Sequence, residues 1–473
     1  MPTRTTVFER EAPAPALVDD SLSTTRRGVF WLEDAPPARA RLSGSSTADL
    51  VVVGGGYSGL WSAVRAKERD PGRRVVLLEA RSIGWAASGR NGGFVESSLT
   101  HGRENGLARW PDEFDTLERL GVQNLDGIQE TVARYDLDCD FERTGSLAVA
   151  VEEHQVEWLA EGDGVAGGRF LDGAAVRAVV DSPTFLAGLA APAEQCALVH
   201  PGKLARELAR LAEQLGVVVH EDSRVLGLEA SGDRVRVRAA GGSVTADQAI
   251  LGTSAFPSLL ARTRLMTVPV YDYVLMTEPL DSARSAALGW EGREGLSDVA
   301  NQFHYYRRTA DDRILWGGYD AVYHPGGRIR SSYEERPETY RALASHFFTT
   351  FPQLEGLRFS HRWGGVIDTS TQFAAFYGTA LGGRVAYAAG YTGLGVGTTA
   401  FAADVMLDLL SGERTERTEL AMVRNRPLPF PPEPLASIGI QATRWSLDRA
   451  DHDGGRRNLL LKTLDALGLG FDS

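Results

Sequence analysis

The chain has 473 residues, 43% hydrophobic and 24% charged, an ordinary globular composition long enough for two or three domains. Lys plus Arg number 50 against 62 Asp plus Glu, and the net charge of −12 excludes a general attraction to nucleic acid or anionic lipid. No apolar run approaches the roughly 18 residues of a membrane span, and the only cysteines, Cys139 and Cys196, form no disulfide framework, so a cytoplasmic protein with inert thiols is expected.

Residues 1–47 are rich in Pro, Arg, Ser and Thr and read as an N-terminal extension on the surface. Thr25–Trp31 holds an Arg pair like that of an export signal, but Glu33-Asp34 and Pro36-Pro37 stop the apolar stretch at once. Asp49–Val53 is a β-branched run suited to a buried parallel strand. A glycine turn follows, then a helix through Leu60, Ala63 and Val64, broken at Pro71-Gly72, then a strand at Val75–Leu78. Ser146–Ala150 reads as a strand, and Lys203–Leu215 as an amphipathic helix with Leu204, Leu208, Leu211 and Leu215 on one face. Val217–Val219, the alternating Arg234–Arg238 and Ala249–Leu251 read as further strands. Val385–Leu410 returns to strand, glycine loop and helix. After Glu413 come a Pro-rich stretch and a helical tail.

Gly54-Gly55-Gly56-Tyr57-Ser58-Gly59 fits G-x-G-x-x-G, with a strand before it, a helix after it, and Glu79 ending the next strand. Gly54 permits the turn, Gly56 lets backbone approach a pyrophosphate, and Gly59 allows close helix–strand packing. The helix N-terminus offsets phosphate charge, and Glu79, followed by Ala80 and Arg81, is placed to accept hydrogen bonds from a ribose. The motif alone serves NAD or FAD. The choice of FAD rests on its continuation, Ile83-Gly84-Trp85-Ala86-Ala87-Ser88-Gly89-Arg90-Asn91-Gly92-Gly93-Phe94, whose small residues let backbone lie against a flat ring.

With these residues the chain resembles the D-amino-acid-oxidase-like superfamily of FAD-dependent oxidoreductases, the glycine and sarcosine oxidase group, and most closely the γ-glutamylputrescine oxidases through Gly84–Gly93. Further likeness lies in His200–Leu204, Phe303–Arg308, Ile314–Tyr319, Trp363-Gly364-Gly365 and Gly390–Val396. The resemblance implies an α/β (α+β overall) fold, with a Rossmann-like FAD domain (residues 48–100, 197–260 and 361–412). It also implies a discontinuous substrate domain on a large mixed sheet (101–196 and 261–360), followed by the tail at 413–473. It further implies cofactor contacts at Val225, Thr253, Trp363, Gly390, Gly393, Leu394, Gly395 and Val396, besides the residues already named. Sarcosine oxidases bind FAD through a cysteine after Trp363 and carry an oxygen-activating lysine. This chain has no such cysteine, so FAD is expected to be non-covalent, and the lysine position matches Gly397.

The chemistry implied is hydride loss from a small-molecule amine to flavin N5, imine hydrolysis, and electron delivery to O2 or an alternative acceptor. On the substrate side, successive strand residues face opposite ways, so only one of Tyr305 and Tyr306 meets the cavity; Tyr306 is preferred. Asp320 sits where a sarcosine oxidase has a histidine, and a carboxylate there suits an ammonium group. Arg307 and Arg308 suit a substrate acid, or else surface ion pairs. Tyr271 and Tyr273 line the same cavity or belong to the core. The histidines show no ligand spacing, so no metal is expected. The rival readings are a dehydrogenase feeding a quinone or carrier protein, a flavin hydroxylase, for which Asp172-Gly173 lacks its partners, and a non-catalytic flavoprotein.

Overall fold

The computed structural model describes residues 5–34 and 36–470. Along the chain the strands used below are β1 (Arg26–Arg27), β2 (Gly44–Val53), β3 (Val75–Leu78), β4 (Phe94–Glu96), β5 (Ser146–Ala150), β6 (Arg169–Asp172), β7 (Ala187–Ala191), β8 (Cys196–Leu198), β9 (Val218–His220), β10 (Val225–Ser231), β11 (Arg234–Ala239) and β12 (Gly242–Leu251). They continue as β13 (Thr267–Thr277), β14 (Gly295–Asp298), β15 (His304–Arg308), β16 (Ile314–Gly318), β17 (Val322–Tyr323), β18 (Phe359–Ser370), β19 (Phe376–Ala380) and β20 (Val385–Ala389). The helices that matter are α1 (Tyr57–Arg69), α2 (Phe114–Arg134), α3 (Pro201–Gln214), α4 (Pro337–Thr350), α5 (Gly395–Ser411), α6 (Leu435–Asp451) and α7 (Leu459–Ala466).

Two sheets carry the fold. In the smaller, β9, β3, β2, β12 and β20 run parallel. Apart from the edge strand β9, where Val218 is exposed, their Val, Ile and Leu runs are buried on both faces, as parallel strands require. On one side Leu50, Val52, Leu77 and Ile250 pack against α1, α3, α5 and α2. On the other lie Val235, Val237 and Val244 of the antiparallel excursion β10–β11–β12. The larger sheet is mixed, in the order β1-β18-β13-β16-β15-β14-β5-β7-β6, with β17 beside β13. One face is an aromatic core built by Tyr271, Tyr273, Tyr306 and Trp316 on Phe347 and Phe351 of the α4 region. The opposite face turns toward the smaller sheet.

Three expected boundaries move. The strand Phe359–Ser370 belongs to the larger sheet, so the return to the cofactor side comes after residue 370, not at 361. Helix α2, expected in the substrate half, packs in the core of the smaller sheet through Leu117, Leu125 and Ile128. The N-terminal segment is woven into the fold rather than laid on it. Arg26 and Arg27 pair with β18, and Trp31 is buried on Val274, Met276, Leu315 and Trp363. Residues 44–47 lengthen β2 along β12. A packed tryptophan and backbone ladder bonds recover more free energy than a solvated Pro/Arg-rich strand would. Among the described residues no helix is long and apolar enough to cross a membrane.

Candidate active site

A cavity of about 2220 Å³ is lined by residues of both sheets and the loops around them. At one end it is lined by Gly54, Gly56, Tyr57, Ser58, Glu79, Ala80, Arg81 and Val225, with Thr253 on the facing loop. The turn after β2 needs its glycines. Gly54 has φ +112°, and a Cβ on Gly59 would sit 1.9 Å from the Gly54 carbonyl oxygen, so α1 touches the strand end directly. Glu79 is buried, and burial raises its pKa. Its Oε2 accepts from the Gly55 N–H at 2.6 Å, and its Oε1 accepts from the Arg81 N–H at 2.8 Å and Trp85 Nε1 at 3.0 Å. Of its roughly four lone-pair positions, at most one is left for a hydroxyl group. A glycine-walled groove at a helix N-terminus, ending on a carboxylate, is the donor and acceptor set that an ADP moiety requires.

The cavity continues along residues 84–94. The Asn91 side chain staples this loop, donating to the Ala87 and Ser88 carbonyls at 2.9 and 3.0 Å and accepting from the Gly93 N–H at 2.8 Å. Arg90 donates to the Gly364 carbonyl at 2.8 Å and pairs with Glu334 at 2.8 Å. Trp363 Nε1 donates to the Arg90 carbonyl at 2.9 Å, so Trp363 holds the loop to β18. Gly89, Gly92 and Gly93 are tight: a Cβ on Gly92 would meet the Tyr305 ring at 2.9 Å. Opposite them, Gly393, Leu394, Gly395 and Val396 bring the N-terminus of α5 to the cavity. Gly390 has φ +78°, and its N–H donates to buried Asp368 at 2.6 Å; burial pushes that carboxyl up to about 6. A Cβ on Gly397 would come 2.5 Å from the Glu96 carbonyl oxygen, so this position on α5 is closed to a side chain without a shift of backbone.

The candidate substrate residues are redistributed. Tyr305, not Tyr306, lines the cavity. Its ring crosses Gly317 of the intervening strand β16, where a Cβ would lie 2.7 Å from its Cζ and hydroxyl, and the hydroxyl donates to Asp272 on β13. Tyr306 is packed instead among Trp290, Trp316 and Phe351, on the core face. Tyr271 and Tyr273 share that core face and donate to the Arg330 and Tyr333 carbonyls at 3.1 and 2.7 Å. Asp320 is already satisfied, its Oδ2 accepting from Arg336 at 3.1 Å and Thr339 at 2.5 Å, and its Oδ1 from Arg444. It is therefore an ion-paired anchor, not an open carboxylate. Arg307 lies behind the loop, donating to the Val199 carbonyl at 2.6 Å, with burial lowering its pKa to about 10. Arg308 is tied to Asp312 and the Trp290 carbonyl. Neither arginine faces the cavity.

Two carboxylates went unread in the sequence. Asp272 is enclosed, and burial pushes it up to about 6. Glu96, at the end of β4, is exposed to the cavity, and the protein atoms around it still raise its pKa by desolvation. Neither has an ion-pair partner among the described residues. Asp272 stands between two core tyrosines on a strand, and that alternation is the signal that puts it on the other face. Glu96 follows Phe94, whose ring meets Tyr305 edge-on at 6.0 Å.

Comparison with known proteins agrees with this geometry. The family model described as FAD dependent oxidoreductase (DAO) matches residues 49–409. The gamma-glutamylputrescine oxidoreductase of Escherichia coli (strain K12) is 33% identical over 405 residues, 82% of this chain and 89% of that one. Among solved structures, L-proline dehydrogenase from P. horikoshii superposes with a TM-score of 0.65 at 17% identity, covering 80% of this chain and 96% of that one. Glycine oxidase from Geobacillus kaustophilus gives 0.64 at 17%, covering 80% and 99%.

Proposed function

The chain belongs to the DAO family of FAD-dependent oxidoreductases, and from that premise we propose that it oxidises a cationic amine at the carbon beside nitrogen. The observation that carries this reading is the pair of cavity carboxylates, desolvated Asp272 and the cavity-exposed Glu96, neither of which has an ion-pair partner among the described residues. A buried carboxylate without a counter-charge is costly, and an ammonium group removes that cost. The similarity to an oxidoreductase of gamma-glutamylputrescine, itself an amine, supports the same class.

Bound FAD supplies a two-electron acceptor for the C–H bond beside nitrogen. The glycine groove and Glu79 would hold its ADP half, and residues 84–94 with the N-terminus of α5 would hold the flavin portion. Asp272 draws in the ammonium form of the amine. With its pKa near 6, it is a base that can take the ammonium proton and leave the neutral amine that oxidation requires. Tyr305 orients Asp272 by its hydrogen bond, and the Tyr305 and Phe94 rings exclude water around the head group. The imine product is released to hydrolyse to a carbonyl compound.

O2 is the proposed acceptor, with a quinone or carrier protein as the second reading. That second reading is favoured by one observation, that no cation projects from the closed-off Gly397 position. The test is oxygen uptake by the holoenzyme with a panel of amines, amino acids and polyamine conjugates. Peroxide and carbonyl product in equal amounts are expected. An enzyme that stays reduced in air assigns the acceptor to the second reading.

A further inference from the structure

The chain beyond the family-matched segment, which ends at residue 409, does not trail off the fold. It crosses the mouth of the cavity, held by polar contacts along its length. The Phe430 N–H donates to the Leu265 carbonyl at 2.7 Å, and Thr371 donates to the Leu428 carbonyl at 2.7 Å. Glu433 accepts from the Tyr323 hydroxyl at 2.5 Å and the Gly326 N–H at 2.9 Å. Arg444 pairs with Asp320, and Asp451 accepts from the Asn301 and Gln302 N–H groups at 2.9 and 3.1 Å. Arg109 donates to the Gly468 carbonyl at 2.8 Å. These anchors tie the tail to β17, to loops beside the strands of the larger sheet and to the helix at Arg103–Arg109.

The face that these anchors turn inward is apolar but hardly packed. Phe430, Ile440, Leu447, Leu464 and Leu469 line the cavity and stay half-buried, whereas α6 fully buries only Ala436, Ser446 and Ala450. A helix packed on a core would bury its leucines. Here the leucines front open volume, and among the described residues that apolar surface stays only half-covered.

We propose that this tail is the specificity wall of the substrate cavity and that it selects amines carrying an apolar body. The inference rests on the amine reading above: the head group meets Asp272, and the alkyl or aryl body lies along Phe430, Ile440, Leu447, Leu464 and Leu469. Gly439 lines the same cavity, and a Cβ on it meets nothing within 4 Å. A larger side chain at this exposed position on the cavity rim is accommodated without disturbing the fold.

The test uses FAD-loaded full-length enzyme and a homologous series of tert-alkyl primary amines, which carry no C–H beside nitrogen and so report binding alone. Affinity is read from the perturbation of flavin absorbance. Burial of each added methylene against the wall tightens Kd by about 4-fold. Gly439→Trp ends that gain at a shorter chain length, and Leu447→Asn with Leu464→Asn flattens it below about 2-fold per methylene. Both variants keep the short-chain Kd, which shows that the fold and the head-group site persist. No gain with chain length in the wild type overturns the proposal, as does a gain that both variants leave intact. Tighter binding of chains ending in a carboxylate than of plain alkyl chains also overturns it, in favour of the exposed rim cations Arg328 and Arg330. Failure of every oxidisable amine to reduce the flavin instead defeats the amine reading, a result separate from these.

Discussion

Replacing Asp272 with Asn separates charge from shape at the proposed amine site. The amide keeps an oxygen for the Tyr305 hydroxyl, so the Tyr305 bridge across Gly317 survives. What is lost is the charge facing the ammonium group. Removing one member of a desolvated charge pair costs about 2–5 kcal/mol, so kcat/KM for a cationic amine falls by about 30- to 5,000-fold. In the wild type kcat/KM rises with pH up to about 6, where Asp272 ionises, and then levels; the variant lacks that acidic limb. Stability changes in the opposite sense. Burial raises this carboxyl from 3.8 to about 6, so between those values the folded state binds more protons than the unfolded state. Asp272 therefore lowers stability progressively as pH rises through that window, by about 3 kcal/mol in all, and Asp272→Asn removes its contribution. Stopped-flow flavin reduction and thermal unfolding, each across pH 4–8, read both effects. A variant reduced by amines within about 3-fold of the wild-type rate, with its acidic limb intact, refutes the assignment.

Other consequences follow from neighbouring contacts. Tyr305→Phe removes a hydrogen bond that stabilises the Asp272 carboxylate, so the acidic limb of kcat/KM moves to higher pH; an unmoved limb disconnects the two residues. Gly317→Ala drives a methyl group into the Tyr305 ring, costing about 1–3 kcal/mol in denaturant unfolding and displacing the hydroxyl from Asp272. Glu96→Gln weakens amine binding by about 10-fold without altering flavin affinity, measured by amine titration of the flavin spectrum. Glu79→Gln does the reverse, weakening FAD retention by about 10-fold in a fluorescence release assay, because a ribose hydroxyl then meets a neutral acceptor.

The cofactor side was legible because each of its signals is local. A strand, three glycines, a helix and an acidic residue lie within Asp49–Glu79, and backbone sterics give the glycines only one use. The substrate side was not, because its determinants are long-range. Strand alternation correctly says that Tyr305 and Tyr306 part company, but aromatic residues line both faces of this sheet, so composition cannot choose between them. Asp320 reads as an open carboxylate until Arg336 and Arg444, far along the chain, are seen to close on it. The tail reads only as a Pro-rich stretch and a helix, and its place at the cavity is hidden because its apolar residues border a cavity instead of a core. The N-terminal segment misleads in the same way, since Pro and Arg dominate its composition while Trp31 supplies its anchor.

Anaerobic titration of the FAD-loaded protein with primary and secondary amines tests the central claim most directly. Stoichiometric bleaching of the flavin absorbance by a cationic amine, lost in Asp272→Asn, is the result predicted. A flavin that stays oxidised with every amine, or that is bleached by NADPH instead, contradicts it.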